Sequence, residues 1–224
     1  STVVRYMAAL SHAFNVAIRE WGWIDSNPLS KVTKPKEPRG RIRFLSEPER
    51  LHLLQACKES PNKYLYPIVV LALSTGMRHG EIINLTWPDI DLERKRITLT
   101  KTKNDERRVV PLTNLAFTLI KELSKIRRLD TTLLFPATKN RQNPTDIRYP
   151  WLEALKKVKI SNFRFHDLRH SAASYLAMNN ASPSEIAEVL GHKTLQMVKR
   201  YSHLSETHTA QVVTRMNEKI FGNI

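Results

Sequence analysis

The sequence predicts a mostly helical chain with one small three-stranded antiparallel sheet, an α+β class dominated by helix. Two patterns lead to this. Apolar residues recur at helical spacing along most of the 224 residues, and the period switches to that of a strand only around Arg96–Val110. An apolar fraction of 41% with four tryptophans is enough to build a packed core, which excludes a disordered chain.

The elements follow in order. Val3, Met7, Leu10, Phe14, Ala17 and Ile18 mark a helix over residues 2–20, and Asn27-Pro28 ends that segment. The run KVTKPKEPRGRIR, residues 31–43, holds two prolines, one glycine and six basic residues, and it reads as an extended basic linker. Ser46-Glu47-Pro48-Glu49 is a capping box that starts a helix to about Cys57. Residues 62–74 form a very apolar helix stopped near Gly76, and a short helix follows Arg78. Arg96–Thr100 and Arg107–Val110 read as strands joined by a polar turn at Lys103–Glu106, with Asp89–Leu92 as a third strand. Helices then recur over about 114–128, 145–158, 166–179, 184–190, 195–201 and 206–220, with a second capping box at Ser182–Glu185. The expected organisation is a helical remnant at 1–30, a linker at 31–43 and a larger domain at 44–224. The opening at Ser1, already inside a helical pattern, implies that a further N-terminal region precedes it.

Charge narrows the partner. Thirty-six Lys and Arg face 21 acidic residues, a formal +15, and such a surface attracts polyanions. No apolar run approaches the roughly 18 residues that a membrane span needs, so nucleic acid is favoured over a membrane. Within the linker, Lys34, Lys36, Arg39, Arg41 and Arg43 can follow a phosphate backbone, with a plain solvated loop as the competing reading. Cys57 is the only cysteine, which leaves no disulfide framework or cysteine metal site and fits a reducing, cytoplasmic home.

Several polar groups stand where a plain core would not require them. Arg78 lies just past the end of a buried helix, and Glu81, three residues on, can orient its guanidinium. His166 and Arg169 share one face at a helix N-terminus, a favourable place for an anion. A metal reading of His166-Asp167 lacks a second cluster with ligand spacing, so no metal ligands are assigned. Residues 182–201 also read as a helix-turn-helix with a glycine in the turn, which would suit a DNA-binding regulator without chemistry. Leu190-Gly191-His192 and Met197–His203 complete the set, and Tyr201 takes its meaning from these neighbours.

TGMRHGEI, the hairpin reaching Lys103, HDLRH, LGH and KRYSHL occur in the order and spacing of the tyrosine recombinases, the phage integrase family, and the chain resembles that family over about residues 44–215. The resemblance implies the catalytic-domain fold of those recombinases, with residues 1–30 as the tail of a core-DNA-binding module. It also implies a site-specific recombinase in which Tyr201 is the nucleophile. Arg78, Arg169 and His192 stabilise the phosphate charge, Glu81 supports Arg78, and His166 takes the tyrosine proton. A lysine protonates the departing 5′-oxygen. Lys103 fits best, eight residues before Pro111, and Lys101 is the alternative, otherwise a DNA contact. Asn104-Asp105 departs from the glycine that many relatives have there. The product would be a 3′-phosphotyrosyl bond, resolved through a Holliday junction.

The same resemblance implies double-stranded DNA as partner, a monomer when free, a homotetramer on paired sites, a possible directionality factor and a nucleoid location. It implies no metal or other cofactor. The segment after Tyr201 is expected to dock on a neighbouring protomer. Two other functions share parts of this pattern: a type IB topoisomerase, which relaxes DNA as a monomer, and a catalytically silent DNA-binding regulator.

Overall fold

Helical spacing over the first residues produces α1 (Thr2–Arg19), which buries little beyond Ala17 and leaves Val3, Tyr6 and Leu10 exposed. The computed structural model describes residues 2–36, 43–99, 107–201, 214 and 216–222. They fall into two compact units, Ser1–Arg41 and Ile42–Ile224, dividing inside the basic run. In the smaller unit Asn27 turns the chain back along α1. Its Nδ2 donates to the Ser11 carbonyl at 3.1 Å and to Asn15 Oδ1 at 2.9 Å, while its Oδ1 accepts from the Leu29 N–H and caps the 3-10 turn Pro28–Lys31.

The larger unit begins with α2 (Glu47–Lys58), whose Ser46–Glu49 capping box forms as the sequence predicts. Next comes α3 (Leu65–Thr75). Its apolar residues go all the way round, so it can only be stable surrounded. Leu65, Ile68, Val69 and Leu71 are fully buried, each contributing about 1.5–3 kcal/mol of burial. The short α4 (His79–Ile83) follows, then β1 (Ile90–Asp91), β2 (Arg96–Leu99) and β3 (Arg108–Pro111). The strands lie in the order β1-β2-β3, antiparallel throughout, with Ile97 opposite Val110 and Leu99 opposite Arg108. Four helices complete the unit: α5 (Asn114–Lys125), α6 (Arg148–Lys157), α7 (Asp167–Met178) and α8 (Pro183–Leu190).

Helix α3 is the hub, packing against α2, α5 and α7. A smaller core unites Ala173 and Ala177 of α7, Ile186, Ala187 and Leu190 of α8, and Val198 with Tyr201. Cys57 is buried in the main core, and burial pushes its thiol up to about 12. Among the described residues no helix is long and apolar enough to cross a membrane.

One expectation fails. Residues 195–201 form 3-10 turns, Leu195–Met197 and then 199–201, in place of an α-helix. Side chains three apart eclipse in a 3-10 turn, so Val198 and Tyr201 point together into the core while Lys199 and Arg200 face out. That geometry removes the helix-turn-helix reading, because the place of a recognition helix is taken by a segment that buries its apolar residues. The expected turn at Lys103–Glu106 and most of helix 206–220 lie outside the described residues. Residues 216–221 are helical, with Met216, Ile220 and Phe221 exposed.

Candidate active site

The site starts where α3 stops. Gly76 ends the helix at φ 61°, a conformation that other residues adopt only with strain, and a Cβ there would stand 2.3 Å from Leu190 Cδ2 and force that side chain to shift. The turn delivers Arg78 as the first residue before α4. Its backbone N–H donates to Glu81 Oε2 at 2.8 Å, and its Nη1 donates to Oε1 at 2.7 Å. Burial alone would raise the Glu81 carboxyl; the hydrogen bonds from Arg78 and the charges of Arg108 and Arg78 hold it below its ordinary value instead.

Arg169, on the first turn of α7, is only 4% exposed. A buried guanidinium needs acceptors, and it finds them at two helix C-termini. Nη1 donates to the Gly76 carbonyl at 2.6 Å and Nη2 to the Leu190 carbonyl at 2.6 Å. Burial, together with the nearby positive charges of Arg78 and Arg108, lowers its pKa to about 10, which leaves it charged at neutral pH. A third guanidinium joins them. Arg108 Nη2 donates to Glu81 Oε2 at 3.0 Å, and its Nη1 donates to the same Leu190 carbonyl.

Gly191 ends α8 at φ 63° and sets His192 beside this group. Burial and the charges of Arg169 and Arg78 push His192 down to about 4. His166 stands exposed at the rim with a lowered pKa, caused by burial of part of its ring and by Arg169. Its ring meets the His170 ring edge to face at 5.2 Å. His170, one turn into α7, lies with Nδ1 2.5 Å from Tyr201 Oη. Tyr201 is 2% exposed, and burial raises its phenol above the ordinary value, with Arg200 and Arg169 opposing. Two guanidinium groups therefore share one carboxylate, and a third, Arg169, joins Arg108 at the Leu190 carbonyl near the buried Tyr201 phenol, an arrangement suited to a phosphate. Among the described residues no group of three His, Cys, Asp or Glu side chains could hold a metal ion.

Residues 43–208 match the sequence profile of the phage integrase family. The chain belongs to that family. It is 36% identical over 205 residues to a shufflon-specific DNA recombinase of Escherichia coli, covering 91% of this chain and 51% of that protein. The catalytic domain of bacteriophage HP1 integrase superposes with a TM-score of 0.61 at 29% identity, covering 78% of this chain and 95% of that one. A lambda integrase fragment in a dimer bound to a COC' core site gives 0.70 at 25% identity, covering 87% and 70%. The chain thus spans about half the length of the curated recombinase it matches.

Within this integrase-family domain the structure brings Arg78, Glu81, His166, Arg169, His192 and Tyr201 to one place. Lys101, Lys103, Arg39 and Arg41 lie outside the described residues. Lys34 and Lys36 are exposed in the smaller unit. Arg43 is engaged internally, paired with Glu49 and lying 5.4 Å from the Phe163 ring centre. Sequence reasoning missed two members, Arg108 and His170. Arg108 had a readable signal: it sits two residues before the buried Val110, hence on the inward face of a strand, where a charge requires a partner. His170 had none beyond its place in HDLRH.

Proposed function

We propose that this domain is the catalytic part of a site-specific recombinase that cuts and rejoins double-stranded DNA. The observation that carries the reading is the excess of guanidinium charge around Tyr201 and its histidines. Arg78 and Arg169 take the non-bridging phosphate oxygens, with His192 as a further donor. Tyr201 Oη attacks phosphorus, forming the Oη–P bond as the P–O5′ bond breaks. His166 receives the phenolic proton, and Lys103 supplies one to the departing 5′-oxygen. The 3′-phosphotyrosyl bond conserves the energy of the broken one, so a 5′-hydroxyl of the partner DNA can reverse the step.

The lambda neighbour, bound to a COC' core site, supports duplex DNA as the partner. A monomer in the free state, a tetramer on paired sites exchanging strands through a Holliday junction, a directionality factor and a nucleoid location complete the proposal. The linker residues Lys34, Lys36, Arg39 and Arg41 would track the phosphate backbone.

The test uses nicked duplexes spanning the DNA junction that flanks the gene. The protein is expected to form a covalent adduct that survives denaturation, and Tyr201→Phe to bind the duplex without one. Recombination between two such sites is expected. An adduct with DNA relaxation and no two-site product would mean a topoisomerase, and no adduct would leave a binding protein.

A further inference from the structure

Arg108 lies inside the site but is not placed to touch DNA. Its side chain is 12% exposed, and both terminal nitrogens point inward. What they hold is informative. Nη2 shares the Glu81 carboxylate with Arg78, taking Oε2 while Arg78 Nη1 takes Oε1. Nη1 shares the Leu190 carbonyl with Arg169. Arg108 is therefore one acceptor away from each of the two arginines assigned to the phosphate. It also lies over the turn that sets His192, since a Cβ on Gly191 would come 2.1 Å from its Nη1 and 2.8 Å from its Cδ.

The shared acceptors have a physical consequence. A carboxylate facing a lone arginine prefers the parallel two-bond arrangement, which would turn the Arg78 guanidinium wholly toward Glu81. With Oε2 occupied by Arg108 and by the Arg78 backbone N–H, Arg78 is limited to Oε1 through one nitrogen. Among the described residues no other acceptor takes its remaining N–H groups, which are left to a ligand. Arg108 also adds a like charge behind Arg78 and Arg169, and that charge lowers the pKa of Arg169.

We propose that Arg108 is a positioning residue for phosphodiester cleavage, holding Arg78, Arg169 and the His192 turn in the attitude that receives the phosphate. The inference rests on the recombinase reading above. Because Arg108 acts through charge-bearing neighbours, its loss should matter only where the phosphate carries its negative charge.

The experiment compares the wild-type protein with Arg108→Gln and Arg108→Lys on the nicked junction duplex, with the cleavage position first mapped by the wild-type adduct. Two versions of the scissile group are used, the ordinary phosphate and an uncharged methylphosphonate. Adduct formation at saturating DNA should fall roughly 10- to 100-fold with Arg108→Gln on the phosphate, the scale of a misaligned reacting group. Arg108→Lys should recover part of this at most, since a lysine lacks the fork that spans two acceptors. On the methylphosphonate both variants should stay within about threefold of wild type, because no anionic charge remains to be met. DNA affinity and its salt slope should not change.

Equal slowing on both substrates would reduce Arg108 to a folding role and overturn the proposal. A shallower salt slope would make it a DNA contact, with the same effect, and so would unchanged cleavage of the phosphate. If the wild-type protein forms no adduct, the recombinase reading falls and this inference falls with it. A wild-type adduct with an indifferent Arg108→Gln defeats the inference alone.

Discussion

His170 Nδ1 lies 2.5 Å from the phenolic oxygen of Tyr201. Burial, the neighbouring His166 and Arg200 push His170 down to about 4, so at neutral pH its ring is uncharged and shares a hydrogen bond with the phenol, the donor being set by the ring tautomer. The proposed nucleophile thus lies against a histidine other than the one to which the family resemblance gives the proton. His166 stands at the exposed rim, beside Arg169, where a DNA phosphate can arrive. The two histidines therefore have separable roles. His166→Ala should slow adduct formation about 100-fold or more at neutral pH, as loss of a general base does. His170→Ala should accelerate it by up to about tenfold, the net worth of one hydrogen bond that must break before attack. Single-turnover adduct formation on nicked DNA measures both, and a collapse with His170→Ala alone would transfer the base role to His170.

The same burial makes the fold acid-sensitive. His170 and His192 both have folded values of about 4, below the ordinary histidine value near 6.5. Between those limits the unfolded chain binds protons that the folded chain does not, so the histidines' contribution to stability falls as pH drops from about 6.5 to 4, and below that the depressed carboxylates Glu49 and Glu81 continue the loss. Each histidine, being only half-buried, should account for roughly 1–2 kcal/mol after solvent screening. Thermal melts from pH 7 to 4 should show the loss, and His192→Asn should reduce it in part, since His79 and His166 titrate low as well. An unchanged melting temperature across that range would contradict this.

Most of the fold was legible because local signals and burial agree. The LYPIVVLALST segment has no polar face, so it could only be a surrounded helix, and the Ser46 and Ser182 capping boxes fix two helix starts. The segment before Tyr201 was not legible. Its apolar residues suit either a helix or 3-10 turns, and the choice is made by the need to bury Val198 and Tyr201 against α7 and α8. Arg108 carried only the signal of strand alternation with Val110, which did not name its partner. A basic strand residue reads as solvated until the register, with Leu99 opposite, turns it inward toward Glu81. The Arg78–Glu81 pair needed only one helical turn, and it forms as the sequence predicts.

The two lysines of the β2–β3 connection can be told apart chemically. Lys103→Ala should slow cleavage of the ordinary phosphate at least about 100-fold, and Lys101→Ala should chiefly weaken binding. A substrate with sulfur at the 5′-bridging position leaves without a proton, so it should rescue Lys103→Ala. Rescue of Lys101→Ala in its place would reverse the assignment.

The basic linker should appear in salt dependence. Each phosphate contact contributes a slope of about 0.9 to the fall of log affinity with log salt. Neutralising Lys34, Lys36, Arg39 and Arg41 together should flatten the slope by roughly two to four and leave the thermal melt unchanged. An unaltered slope would mean that the linker does not follow the backbone.

The segment after Tyr201 bears on assembly. Residues 216–221 are helical, and Met216, Ile220 and Phe221 are exposed there. A helix with such residues on show gains by covering them, at about 25 cal/mol for each Å² of apolar surface removed from water. In the proposed tetramer on paired sites a neighbouring protomer would supply that cover, and because the segment follows Tyr201 in the chain, docking and Tyr201 placement would be coupled. Deleting residues 206–224 should leave binding to a single site within about threefold but abolish cooperative joining of two sites and reduce recombination at least about tenfold. Sedimentation with paired duplexes separates this from a local role. Tetramers of normal stability from the truncated protein would show that the helix covers only its own domain.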